Sequence, residues 1–200
     1  MRCPTHYSVR HRRRQHGFSL LEMLVALVVF SIGMLAIAGL QTVSKQANFE
    51  AIQRTTASQV AYGLLEDMRT NGDAIAVYRQ AATLGNGSRG AEPAPNCRAG
   101  AECNAQEKAV YDLWFWEQVL DGNLETRNGG GTGGLVLPSL CIDGPALGGP
   151  GVYRVTVAWR GTASITNAVA NPCGVGTGNY GDNEEFRRIV QIPTYIDPNI

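Results

Sequence analysis

Residues 18–40, FSLLEMLVALVVFSIGMLAIAGL, form a run of 23 residues with a single charge, Glu22, and no proline. No other segment constrains the chain so strongly. As a helix it would be about 35 Å long, enough to cross the hydrocarbon core of a bilayer. Residues 1–17 in front of it carry five arginines (Arg2, Arg10, Arg12, Arg13 and Arg14), all three histidines of the chain and no acidic residue. A cluster of that kind stays on the cytoplasmic side, so the rest of the chain is expected on the outer side. Ala36-Ile37-Ala38 has the small-residue form of a secretory cleavage site, and an ordinary signal peptide ahead of an exported soluble domain is the competing reading. Two features oppose it. A carboxylate inside the apolar run costs roughly 2.5–3.5 kcal/mol on insertion scales, which a simple signal has no reason to carry. The helical pattern also continues past residue 40.

Beyond residue 17 the chain holds 12 basic against 17 acidic groups and no histidine. That excludes Ser-His-Asp and Cys-His catalysis and His-containing zinc sites there. The acidic balance also argues against nucleic-acid binding, since no basic excess remains to neutralise phosphates. With no P-loop and no convincing pair of carboxylates, the expectation is a chain that is not an enzyme and needs no cofactor or metal.

From Gln41 to Thr70 the pattern is one-sided. Phe49, Ile52, Thr56, Val60, Leu64 and Met68 recur at spacings of three or four, with Lys45, Gln53, Arg54, Glu66 and Asp67 mostly off that stripe, as in a helix lying on a globular domain. Asn71-Gly72 is a helix stop. Gly33 and Gly39 would weaken the first half by about 0.5–1 kcal/mol each. Residues 85–103 are rich in Gly, Pro and Asn and read as a loop. A second helix should follow, with Asn104 as cap, Glu107 completing a capping box and Asp121-Gly122 at its end. Val110, Leu113, Trp114 and Val119 form its apolar face, with Trp116 at the border. Residues 128–134 are a flexible connector. Leu135–Ile142, interrupted by Pro138, and Phe186–Ile192 are strand candidates. Between them Tyr153, Val155, Val157 and Trp159 alternate with Arg154, Thr156, Ala158 and Arg160, the best strand pattern in the chain. The divisions are therefore 1–17, 18–40, 41–72 and 73–200, and the class is α+β: a long helix and a short one on a small antiparallel sheet. Glu184-Glu185 and Glu66-Asp67 read as solvated surface, and Arg187-Arg188 as an exposed strand pair.

Four cysteines follow the basic head: Cys97, Cys103, Cys141 and Cys173. In an exported domain they imply two disulfides with three possible connectivities. The expected pairs are Cys97–Cys103, closing a small loop, and Cys141–Cys173, tying strand regions at about 3–4 kcal/mol in the chain-entropy view. The alternative, one zinc held by all four, lacks a CxxC knuckle.

Gly17-Phe18-Ser19-Leu20-Leu21-Glu22, behind a basic head and ahead of an unbroken apolar helix, resembles the class III leader of type IV pilins and pseudopilins. The resemblance implies a type IV pilin-like fold, cleavage between Gly17 and Phe18 by a prepilin peptidase, and N-methylation of the new Phe18 amine. It also gives Glu22 a role: a buried carboxylate pairing with the N-terminal amine of a neighbouring subunit, a register device because an unpaired buried charge is costly. Over residues 109–116 and 153–160, and in the cysteine pairs, the chain is similar to the minor pilins called type IV pilus modification proteins. That implies an inner-membrane protein with its C-terminal domain in the periplasm, later built into a pilus. Its partners would be other minor pilins, the major pilin and the inner-membrane assembly platform. Type II secretion pseudopilins share the leader and are the runner-up within the family. Outside it stands a membrane-anchored adhesin or sensor using the loops 123–151 and 161–184.

Overall fold

The computed structural model describes residues 17–166 and 170–199. The basic head up to residue 16, with Cys3, and three residues of the 161–184 loop lie outside the described residues. The first helix, α1, runs Leu20–Thr70 without interruption. The chain divides into two compact units, one ending at Lys45 and one covering Gln46–Ile200.

In the first unit the described residues of α1 are exposed on every side. Leu20, Leu21, Leu24, Leu27, Phe30 and Leu35 all show more than half their surface. Two of its hydroxyls are satisfied within the helix. Ser31 Oγ donates to the Leu27 carbonyl at 2.7 Å, and Thr42 Oγ1 to the Gly39 carbonyl at 2.7 Å. Hydrocarbon demands this arrangement, since no water is there to take the bond.

The second unit is α+β, as the pattern of elements predicts. The later part of α1 buries Gln53, Ala57, Val60, Ala61, Leu64, Leu65 and Met68. Two helices follow, α2 (Ile75–Arg79) and α3 (Ala105–Asp121), then a two-stranded ribbon of β1 (Thr126–Arg127) and β2 (Gly130–Gly131). A three-stranded antiparallel sheet has the order β3-β4-β5, with β3 at Ser139–Asp143, β4 at Gly151–Arg160 and β5 at Arg187–Ile196. Val155 faces Ile192 and Val157 faces both Val190 and Leu140 in register. The stripe of α1 joins Tyr78, Leu113, Leu120 and the inward residues of β4 in one core.

Several expectations shift for local reasons. The stripe on α1 holds from Val60 on, but Ile52 is exposed and its neighbour Gln53 is buried instead. Gln53 is tolerated there because Nε2 donates to the Gly134 carbonyl at 3.2 Å and Oε1 accepts from Val136 N at 3.1 Å. That bond also explains why no strand starts at Leu135. Leu135 N and Val136 N bond to α3 and α1, Leu137 is left-handed at φ 49°, and Pro138 has no N–H to give. The connector at 128–134 contains a hairpin whose Asn128-Gly129 tip has φ 53° and 83°, the dihedral signs that a tight two-residue turn requires. The last strand continues through Pro193 to Ile196, which a strand with a free edge permits. α2 lies outside the expected elements, too short to leave a periodic pattern.

The alternation along β4 is also incomplete. Thr156 and Ala158, on the face expected to meet solvent, are buried. A covering segment explains this. Cys173 is bonded to Cys141, and the Arg187 guanidinium donates to the Asn171 and Cys173 carbonyls at 2.6 and 3.0 Å. Arg187 is accordingly 5% exposed, not a surface residue.

Candidate assembly site

Gly17, Phe18 and Ser19 precede the helix. Ser19 Oγ accepts from Leu21 N at 3.3 Å, satisfying one of the amides that a helix start leaves open. Phe18 is 79% exposed, and nothing lies within 4 Å of a side-chain atom built on Gly17. Glu22 stands in the first turn, four residues after Phe18, and is exposed. A carboxylate there is favoured by the helix dipole by about 0.3–1 kcal/mol, but that interaction does not require apolar surroundings. Among the described residues Glu22 has no ion-pair or hydrogen-bond partner of its own. The structure thus presents residues 17–22 together at the accessible start of a helix whose apolar surface is unpartnered.

The second unit carries a polar junction between α1 and α3 that composition does not announce. Tyr78 OH donates to Asp112 Oδ2 at 2.7 Å, and Lys108 Nζ reaches the same oxygen at 2.5 Å. Asn71 Nδ2 donates to the Ala105 carbonyl at 2.8 Å and to Tyr78 OH at 3.2 Å. Asp67 accepts from Arg98 and from Trp116 Nε1, both at 2.7 Å, so only Glu66 of that acidic pair is a solvated residue. Burial pushes the Tyr78 hydroxyl far above its ordinary range; the Asn71 bond opposes this and the Asp112 bond adds to it. α3 approaches α1 where Gly63 leaves room. A Cβ on Gly63 would lie 2.0 Å from Trp116 Cη2.

α3 itself starts at its Asn104–Glu107 capping box and ends at a left-handed Gly122, as its sequence implies. Its buried face differs from the expected one. Val110 is exposed, while Ala109, Tyr111, Asp112, Leu113, Glu117 and Leu120 are buried. Glu117 is acceptable in the core because the glycine-rich loop wraps it. Gly85 N and Arg89 N donate to its two oxygens at 2.8 and 2.7 Å, and the Ser88 hydroxyl adds a third bond. Asp121 holds the same loop through Asn86 N and Gly87 N at 2.9 and 2.8 Å.

The four cysteines stand as two bridges, Cys97 with Cys103 and Cys141 with Cys173. Glu184 ion-pairs with Arg187, and Arg188 with Glu50, which tie surface loops to the sheet instead of forming an open charged patch.

Comparison with known families agrees with this geometry. The prokaryotic N-terminal methylation motif matches residues 12–38. The family described as type IV pilin Tt1218 matches residues 39–114. The two matches adjoin and together span half of the chain. The chain belongs to the type IV pilin-like proteins. No curated protein and no solved structure matches it. Membership makes it a pilin-type structural subunit, and its apolar helix behind a methylation motif fits membrane anchoring followed by assembly with other pilins.

Proposed function

We propose that the chain is a minor pilin of the type IV pilus modification kind, PilV, which initiates or modifies pilus assembly. A prepilin peptidase cuts between Gly17 and Phe18 and the Phe18 amine is methylated. Residues 18–40 then hold the protein in the inner membrane with its C-terminal domain in the periplasm. The assembly platform next transfers it into a filament beside other minor pilins and the major pilin. In that setting Glu22 pairs with a neighbour's N-terminal amine. The observation that carries the reading is the methylation motif at 12–38, with Phe18 exposed just before a helix that bears Glu22 in its first turn.

The test is a mass measurement of the N-terminal peptide from purified pili. N-methyl-Phe18 in sheared pilus fractions, at a small fraction of the main subunit, is the expected result. A mature terminus at Gly39 would replace the reading with an ordinary exported domain. N-methyl-Phe18 in membranes together with absence from pili would point to a secretion pseudopilin.

A further inference from the structure

The Cys97–Cys103 bridge encloses Arg98, whose contacts span two helices. Its Nη2 lies 2.7 Å from Asp67 Oδ2 on α1 and 3.5 Å from Asp112 Oδ1 on α3. Its Cζ sits 3.7 Å from the centre of the Phe115 ring and 5.9 Å from that of Trp116. The Trp116 indole shares Asp67 Oδ2 with it. One guanidinium thus covers two α3 aromatics and bridges two carboxylates, held by a bridge with a sequence separation of only 6.

Each carboxylate keeps another donor if Arg98 leaves. Asp112 retains Lys108 and Tyr78, and Asp67 retains Trp116. The helices therefore need not separate when the loop opens. The two bridges also differ in access. Cys97 and Cys103 are both half-buried; in the second bridge Cys141 is half-buried as well, but Cys173 is 3% exposed beneath Arg187 and the Thr156 and Ser139 carbonyls. Thiol attack requires access, which both sulfurs of the first bridge offer and only Cys141 offers in the second.

We propose that the Cys97–Cys103 loop is a separately reducible clasp that, when opened, lifts Arg98 from Phe115 and Trp116 and uncovers this aromatic face of α3. In the opening step a dithiol reductant forms its own disulfide, Cys97 and Cys103 each gain one electron and one proton, and the S–S bond breaks. The Cys141–Cys173 bridge stays closed and the sheet is unchanged.

The full-length chain in detergent micelles is titrated with dithiothreitol, quenched by alkylation and mapped by mass. In parallel the indole N–H resonances of its three tryptophans are recorded, with that of Trp116 assigned from Trp116→Phe. Cys97 and Cys103 should be alkylated at about tenfold lower reductant than Cys141 and Cys173. The Trp116 resonance should move in step with them while that of Trp159 holds still. Arg98→Ala, with both bridges intact, should reproduce the Trp116 shift. Opening of both bridges together, opening of Cys141–Cys173 first, movement of Trp159 in the same step, or a Trp116 resonance indifferent to Arg98→Ala would each overturn the proposal.

Discussion

The two stretches of α1 obey opposite rules. Up to Lys45 the helix exposes its apolar side chains and satisfies the Ser31 and Thr42 hydroxyls internally. From Gln53 on it buries one face and relies on distant partners, including a polar one at Gly134. The first stretch meets its needs only in another medium or against other chains. The second is complete within its own domain. Exposed apolar surface on this scale has a function in a soluble or membrane protein, and here it is surface for a bilayer and then for a filament.

The most severe way to break the contrast is Glu22→Ala. If the carboxylate exists for a partner outside the chain, its removal leaves the second unit folded and membrane insertion at least as efficient. Incorporation into pili should fall, because orphaning one member of a buried pair costs about 3–5 kcal/mol. The readout is the ratio of pilus-associated to membrane-associated protein. An unchanged ratio would remove the pairing role, and failure of leader cleavage would reassign Glu22 to peptidase recognition.

Matched leucines give a somewhat smaller effect. Leu64 is fully buried and Leu24 is 60% exposed, both on α1. Leu64→Ala should lower the stability of the second unit by about 2–5 kcal/mol in denaturant titrations of the micelle-bound chain. Leu24→Ala should leave that transition in place. Equal losses would show that residues 20–45 belong to the same folding unit.

Legibility in the sequence followed the range of the interactions. The capping box of α3 and the end of α1 are local and stand where Asn104, Glu107 and Asn71-Gly72 indicate. The stripe from Val60 to Met68 is right because periodicity and burial coincide there. Glu117, Asp112 and Arg187 could not be placed from composition, which puts charges outside. Their partners lie many residues away, at Gly85 and Arg89, at Tyr78, and at Asn171 and Cys173. The inward face of β4 is buried as its alternation indicates, while Thr156 and Ala158 on the other face are buried because their cover arrives from a loop with no pattern. Around residues 17–22 the reverse holds: leader, junction and carboxylate are contiguous, so the motif was visible without any fold.

Alkaline pH sharpens the difference between the units. Burial raises the hydroxyl pKa of Tyr78, Tyr153 and Tyr180 above the ordinary 10.0. The folded domain keeps protons that the unfolded chain releases, so stability is fully present below about pH 10 and declines above it. Each such tyrosine contributes a slope of about 1.4 kcal/mol per pH unit in that range. Denaturant midpoints measured from pH 8 to pH 11 should be flat and then fall. Tyr78→Phe should be less stable at pH 8 and lose less between pH 10 and 11. A midpoint flat throughout would mean that the tyrosines are not protected.

The smallest effect tests the other side of the comparison. Ser31 and Thr42 are polar residues of the first unit, yet each hydroxyl donates to a carbonyl of its own helix, Leu27 for Ser31 and Gly39 for Thr42. Those carbonyls already serve or neighbour the helical ladder, so removing the hydroxyl orphans nothing. Ser31→Ala should also gain slightly in helix propensity, by a few tenths of a kcal/mol. The expected result is unchanged insertion, unchanged cleavage and pilus incorporation within about twofold of the parent, an energy difference below about 0.5 kcal/mol. A hydroxyl that bonds across to a neighbouring subunit would behave differently: incorporation would drop while membrane levels stayed constant. Such a drop would move Ser31 from the self-satisfied polar groups of the helix to its assembly contacts, beside Glu22.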